Sequence, residues 1–257
     1  MINETLLAKL IGKDVDITVK EETVSTNTDG RELVKNGISR PALIVADCQS
    51  GGRGRQGKSF LSPSGGLYMT LVLPTDLSIE RAMAATSCAA IAVCRGIEEV
   101  SGIDCGIKWI NDIYVNGKKL CGILTESIND YEKMISKYLI IGVGINVSST
   151  PIITDSSVSA ISLAELGYDI SREVLCGAVT EELINAYRSG FNFADYVEEY
   201  RKKSILLGRE ISFSSNGLSK RGIAQCINDR GALVVLCGDE KITLDSGEVS
   251  VRYVTAD

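Results

Sequence analysis

Apolar runs and alternations divide this chain into elements. Val15-Asp-Ile-Thr-Val19 alternates with the period of a half-buried strand, and Ser25-Thr-Asn-Thr-Asp-Gly supplies cap and turn residues for a short helix ending near Gly37. Ala42–Ala46 and Leu67–Leu73 are compact apolar runs, the pattern of buried strands, with a loop rich in Gly and Arg between them. From Ser78, a fitting N-cap, to about Val100, the residues Met83, Ala90, Ile91, Cys94 and Ile97 recur at helical spacing. Ile107–Val115 reads as a strand passing into a hairpin at Asn116-Gly117, because Asn-Gly suits a tight type I′ turn, with Leu120–Thr125 as the return arm. Tyr138–Val147 is almost continuously apolar and is predicted as a central strand. Helices are predicted over 171–187 and 193–203.

Past Gly208 the texture changes to short strands, at 210–213, 222–227, 232–236, 241–244 and 248–253, separated by Gly, Asn and Asp. This places a boundary near Leu206, giving one larger domain over 1–205 and a small β-barrel over 206–257.

Composition narrows the chemistry. The 257 residues include eight cysteines and no histidine, so a Ser-His-Asp triad, a Cys-His pair and histidine metal ligands are excluded. Any reaction runs on Lys, Arg, carboxylates, Cys or backbone. With 27 Lys+Arg against 33 Asp+Glu, the net charge of −6 offers no long-range attraction to a polyanion, which argues against DNA as a partner. The cysteines contain no Cys-x-x-Cys, so no metal site is expected, and they read as small buried hydrophobes in a reducing cytosol. No basic region precedes an apolar stretch at the N-terminus and no apolar run reaches membrane-spanning length. A cytoplasmic protein without membrane association is expected.

Gly52-Arg-Gly-Arg-Gln-Gly57-Lys58-Ser59 matches the P-loop expression, yet the residues that follow are Phe60-Leu-Ser-Pro-Ser-Gly-Gly66. A P-loop needs its Lys-Ser to open a helix, and Pro63 with a glycine pair opposes one, so a P-loop triphosphatase is disfavoured. What remains is a loop whose glycines allow close approach to an anion and which carries Arg53, Arg55 and Lys58; a solvated surface loop has the same composition.

Several separated segments stand in one order: Ser25-Thr-Asn27, Gln49, Gly52-Arg-Gly-Arg55, Ser62-Pro-Ser-Gly-Gly-Leu-Tyr68, Lys108-Trp-Ile-Asn-Asp112, Lys119-Leu-Cys-Gly-Ile-Leu124 with Glu126, Gly142-Val-Gly-Ile-Asn146 and Gly247-Glu-Val-Ser-Val-Arg252. The chain thereby resembles the biotin protein ligases over nearly its whole length. The resemblance implies an α+β fold: a mixed β-sheet catalytic domain with flanking helices, of the biotin/lipoate ligase-like type, plus a small C-terminal SH3-like β-barrel. It implies that biotin and ATP, carried with Mg2+, form biotinyl-5′-AMP, and that a lysine of a biotin carboxyl carrier domain then attacks the mixed anhydride. Neither step needs a covalent enzyme intermediate, which suits a chain without histidine.

By position, the resemblance assigns Ser25, Thr26, Asn27, Gln49, Arg53, Gly54, Arg55, Lys108, Trp109, Gly122 and Gly142 to biotin. It assigns Arg55, Lys58, Lys108, Asn111, Lys119 and Asn146 to ATP, with Lys108 and Arg55 catalytic. Simpler alternatives stand beside these: Ser25–Asn27 as a helix cap, Lys108 as a strand-edge lysine, Trp109 as core, and Gly142 with Gly144 as a bulge. Asp112 is open between Mg2+ organisation and a structural bond, and Asp112 or Glu126 are candidate bases for the acceptor lysine. The sequence departs from the family pattern at Ile110, where proline is usual, at Gln56, where arginine is frequent, and at Phe60, where tryptophan is common. About 24 residues precede Ser25, too few for the helix-turn-helix domain of many family members, so an enzyme without a DNA-binding function is expected. Self-association through the catalytic-domain sheet is left open. The competing readings are a lipoate–protein ligase of the same fold and a non-catalytic biotin-binding sensor.

Overall fold

The computed structural model describes residues 1–151, 159–215, 218–245 and 251–253. The first part of the chain builds β1 (Asp16–Thr23), α2 (Thr26–Lys35), β2 (Ala42–Gln49), β3 (Leu67–Ser78), α3 (Ile79–Ser101), β4 (Gly106–Lys108), β5 (Asp112–Val115), β6 (Lys118–Asp130) and β7 (Ile135–Ile145). These strands form one mixed sheet in the order β1-β2-β3-β7-β6-β5-β4. The β1–β2 pair is parallel, with α2 as its crossover, and the remaining pairs are antiparallel. Parallel neighbours need such a crossover, and antiparallel ones need only turns.

One face of the sheet carries α2, whose Leu33 and Val34 pack on a small buried cluster of Ile44, Val72 and Ile140. The main core lies on the other face, under α3 and α4 (Arg172–Arg188). The N-cap at Ser78 is as expected: its side chain accepts the Arg81 N–H. A short helix that sequence reading left unassigned, α1 (Glu4–Ile11), begins at Asn3, whose Oδ1 accepts the Leu6 N–H at 3.0 Å. Only Leu7 of that helix is buried, so its period carried little signal.

Two expectations need correction. Ile107–Val115 is not one strand: β4 and β5 are antiparallel arms that set Lys108 opposite Asp112, with Trp109-Ile110-Asn111 as their turn and a cis Trp109–Ile110 peptide. Trp109 and Ile110 at the reversal are themselves buried, so the turn carries apolar residues where a surface turn would be polar. The predicted 193–203 helix is a 3₁₀ turn at Phe193–Asp195 followed by α5 (Val197–Lys203). The Asn116-Gly117 turn takes the expected form, both residues at positive φ (51° and 75°).

Beyond α5, strands β8 (Glu210–Ser215), β9 (Leu218–Ile227), β10 (Leu233–Cys237), β11 (Glu240–Leu244) and β12 (Val251–Tyr253) form an antiparallel sheet in the order β11-β10-β9-β8-β12. Residues 248–250 of the last predicted strand, and 247–250 of the Gly247–Arg252 motif, lie outside the described residues. Ile211, Phe213, Ala224, Leu233 and Val235 join the same buried cluster as the large sheet. Among the described residues no helix is long and apolar enough to cross a membrane.

Candidate functional site

The loop after β2 returns on itself. Phe60 N–H donates to Gly52 O at 2.9 Å and Gly54 N–H to Lys58 O at 2.7 Å, while Arg53 pairs with Ser59. Lys58 is extended and opens no helix, so the P-loop match lacks the geometry that would hold phosphates. The loop instead lays Phe60 over the sheet. Its ring occupies the space that side chains at Gly122 and Gly144 would fill, edge-on to Tyr68 at 6.5 Å.

Strand register explains why glycines stand there. Asp112 pairs with Gly122 and Gly122 with Gly144, while Leu124 pairs with Gly142 and Gly142 with Thr70. The glycines leave a trough across one face of the sheet, and a Cβ on Gly142 would overlap the Asn27 carboxamide. Gly142 and Gly144 lie in regular β6–β7 pairing, so they serve close approach rather than a bulge. Gly142 and Gly144 share a face about 7 Å apart along β7 at roughly 3.4 Å per residue, where Asn27 and Phe60 approach the backbone.

The trough is the floor of a cavity of about 650 Å³. Every residue that the resemblance assigned to biotin or ATP lines it: Ser25, Thr26, Asn27, Gln49, Arg53, Gly54, Arg55, Lys58, Lys108, Trp109, Asn111, Lys119, Gly122, Gly142 and Asn146. Segments from six stretches of sequence therefore meet at one place.

One end of the cavity is neutral and hydrogen-bonding. Ser25 precedes α2 but its side chain makes no capping bond; Gln49 Oε1 accepts the Thr26 N–H at 2.9 Å instead. Ser25, Thr26 and Asn27 are all buried, which a mere cap does not require. Both ends of the Asn27 amide are engaged: Oδ1 accepts from Thr70 at 2.8 Å, and Nδ2 donates to Leu124 O at 3.3 Å and to Glu126 at 3.1 Å. Glu126 is also ion-paired with Arg31 and does not line the cavity, so it is poorly placed as a base for an incoming lysine.

The other end is cationic. Arg53, Arg55, Lys58, Lys108 and Lys119 face it, with Asp112 the one carboxylate among the described lining residues. Asp112 is ion-paired with Lys119 at 2.7 Å, and Lys119 also stands 5.8 Å over the Phe60 ring. Lys108 Nζ lies 5.5 Å over the Tyr114 ring. Arg55 donates to Asn111 Oδ1 at 3.2 Å; burial lowers the Arg55 pKa, opposed by the nearby Asp112, and a guanidinium stays charged at any working pH. Asn146 Nδ2 donates to Ile161 O at 3.0 Å, while its buried Oδ1 is without a partner among the described residues. Cys121 lines the cavity, but burial holds its thiol well above the usual range, so it presents no thiolate.

The Lys108–Asp112 turn is held from outside the cavity, by contacts that local sequence gives no means of finding. Trp109 Nε1 donates to Gly231 O in the β9–β10 turn at 2.9 Å, and the buried Tyr200 hydroxyl donates to Ile110 O at 3.0 Å. Trp109 is thus both cavity wall and a bond to the C-terminal sheet. These two bonds fix a turn that has isoleucine where the family pattern has proline. Thr70 was also missed, although one polar residue inside the run Leu67–Leu73, fully buried, was a legible signal.

Comparison with known proteins agrees with this arrangement. Residues 19–146 match the biotin/lipoate A/B protein ligase family and residues 206–252 match the biotin protein ligase C-terminal domain. The bifunctional ligase/repressor BirA of Bacillus subtilis is 44% identical over 128 residues, which is 49% of this chain but only 39% of that relative's length. The biotin–[acetyl-CoA-carboxylase] ligase of Paracoccus denitrificans is 28% identical over 225 residues, covering 83% of this chain and 91% of its own. The structure of the biotin protein ligase from Aquifex aeolicus in complex with biotin and ATP superposes with a TM-score of 0.73 at 27% identity, covering 93% of this chain and 99% of that one. With two family matches in order along one chain, on the mixed sheet and small C-terminal sheet seen here, the protein belongs to the biotin/lipoate A/B protein ligase family and carries the biotin protein ligase C-terminal domain.

Proposed function

We propose that the protein activates biotin with MgATP and transfers it to a lysine of a biotin carboxyl carrier domain. The observation that carries this reading is the polarity of this cavity: a neutral hydroxyl and amide group of residues and a cluster of cations line one space above strand glycines, in a chain of net charge −6. A cyclic urea suits the first end and a carboxylate meeting a triphosphate suits the second. In the first step the biotin carboxylate attacks the α-phosphorus and pyrophosphate leaves. Lys108 lies between the two anions, neutralising both and stabilising charge on the non-bridging oxygens. Arg55, on the reversing loop, covers the adenylate, and Lys58, Asn111, Lys119 and Asn146 take the nucleotide side. In the second step the acceptor amine attacks the anhydride carbonyl, AMP leaves, and a proton passes from the amine to solvent or the leaving phosphate. Mg2+ enters with the nucleotide, and the one carboxylate among the described lining residues, Asp112, is ion-paired with Lys119.

Under the same proposal residues 1–205 form the catalytic domain and 206–257 the small barrel, the protein works in the cytoplasm, and DNA is not a partner. Whether two copies associate is a matter for sedimentation. Comparing biotin with lipoate in ATP–pyrophosphate exchange tests the substrate; exchange supported by lipoate alone would replace biotin in this reading.

A further inference from the structure

The Lys108–Asp112 turn leans on a second turn, Asn228–Ala232, which joins β9 to β10 in the C-terminal sheet. Asn228 Oδ1 accepts the Arg230 N–H at 2.9 Å and the Ala232 N–H at 3.0 Å. Facing two donors, that atom is the oxygen of the amide and not its nitrogen. Along the backbone, Asn228 N–H donates to Ala232 O at 2.9 Å and Gly231 N–H to Asn228 O at 3.0 Å. These four bonds close the turn on itself, as a side chain that mimics a backbone turn does. The Gly231 carbonyl points the other way and accepts the Trp109 indole N–H at 2.9 Å.

The seat of this turn is narrow. Gly231 is buried at a φ of 82°, where glycine is favoured, and a Cβ there would lie 3.3 Å from Ser87 Oγ and 3.5 Å from the Phe193 ring. Ser87, on α3, is also bonded to the Tyr200 hydroxyl. From the solvent side Arg201 Nε donates to Ile227 O at 2.8 Å, and the same guanidinium pairs with Asp229 at 2.8 Å. Helix α5 therefore reaches the Lys108–Asp112 turn by two routes. Tyr200 binds Ile110 O directly, and Arg201 grips the turn whose Gly231 carbonyl binds Trp109.

We propose that Asn228 is a positioning residue for adenylation: by shaping the β9–β10 turn it sets the Gly231 carbonyl under the Trp109 indole, and so places the adjoining Lys108 at the reacting phosphate. Asn228 does not line the cavity and acts only through Gly231 and Trp109. The proposal rests on the reading of the preceding subsection, in which Lys108 acts at phosphorus, and gives the C-terminal sheet a part in the first chemical step. Trp109 is 5% exposed, so a shifted Gly231 leaves its N–H short of a replacement, and a displaced neighbouring cation loses rate.

The test is biotin-dependent ATP–pyrophosphate exchange and tryptophan emission on wild type, Asn228→Ala, Asn228→Asp and Arg201→Ala, with thermal melts alongside. In Asn228→Ala the exchange kcat is expected to fall about three- to tenfold while the KM for ATP stays within about twofold. The emission of Trp109, the single tryptophan, is expected to move to the red. Asn228→Asp keeps an oxygen facing both N–H groups and is expected to return kcat to within about twofold of wild type, with wild-type emission. Arg201→Ala loosens the same turn from α5 and stands in should the asparagine variant fail to fold; the same two changes are expected of it. Wild-type kcat and emission in a folded alanine variant would overturn the proposal. So would a loss of kcat with unmoved emission, or an aspartate variant no better than alanine. Absence of exchange in wild type is read first and removes the biotin reading itself, while the emission arm still decides whether Asn228 holds Trp109.

Discussion

Replacing Tyr200 by phenylalanine removes one oxygen atom and with it a hold on the Lys108–Asp112 turn, together with the bond between that hydroxyl and Ser87. Tyr200 is fully buried on α5 and does not line the cavity; its hydroxyl donates to Ile110 O at 3.0 Å. Ile110 is 3% exposed, so water does not readily replace the lost donor. The cost is about 1–2 kcal/mol, the usual range for a neutral bond whose buried acceptor is left unpaired. At about 2–4 °C per kcal/mol for a domain of this size, the melting temperature is expected to drop by about 2–8 °C. Function should fall further than stability, because the freed segment carries Lys108: pyrophosphate exchange is expected to slow by about tenfold, well within what sub-ångström misplacement of a reacting group can cost. Trp109, the single tryptophan, lies one residue from Ile110 and reports on the same turn, so its emission should shift to the red. Calorimetry, exchange kinetics and fluorescence on the same preparation read all three. A variant that melts within about 1 °C of wild type, with unchanged emission and exchange, would show that the turn does not depend on this bond.

Lys108→Ala should reduce adenylation far more than biotin binding; equal losses in pyrophosphate exchange and in calorimetric affinity would leave Lys108 a binding role only. Arg55→Gly should speed escape of biotinyl-5′-AMP, read by filter release of labelled adenylate, and an unchanged release rate would remove Arg55 from intermediate retention. Burial raises the Cys88 and Cys176 thiols to about 12 and holds Cys94 and Cys121 well above 9.0. The folded state thus keeps protons that the unfolded chain releases, so stability is full below pH 9 and falls from pH 9 toward 12. A urea midpoint that rose over that window would contradict the burial of these thiols.

The parts of this fold that were legible in sequence are those where burial and local backbone chemistry agree. Leu67–Leu73 and Tyr138–Val147 bury nearly every residue, and Asn116-Gly117 permits both positive φ values, so strands and turn could be read directly. The β4–β5 reversal could not, because its turn holds the buried apolar pair Trp109 and Ile110 and its restraints come from Tyr200 and Gly231, far along the chain. The same holds at the site. The ordered motifs named residues that the fold brings to one cavity, since those side chains sit in short segments. The chain of bonds from Glu126 through Asn27 to Thr70 joins three elements, and only the strand register brings Thr70 beside Gly142. Glu126 illustrates the limit: in the sequence it is one candidate base among several, and its pairing with Arg31 and Asn27 is seen only in the fold.

The central claim is tested by incubating the purified protein with labelled biotin, MgATP and the carrier domain of a biotin-dependent carboxylase, then locating the label. Label is expected on a carrier lysine, dependent on ATP and accompanied by AMP and pyrophosphate in equal amounts. Well-folded protein that leaves the carrier unlabelled, or that releases phosphate from ATP without biotin, would contradict it.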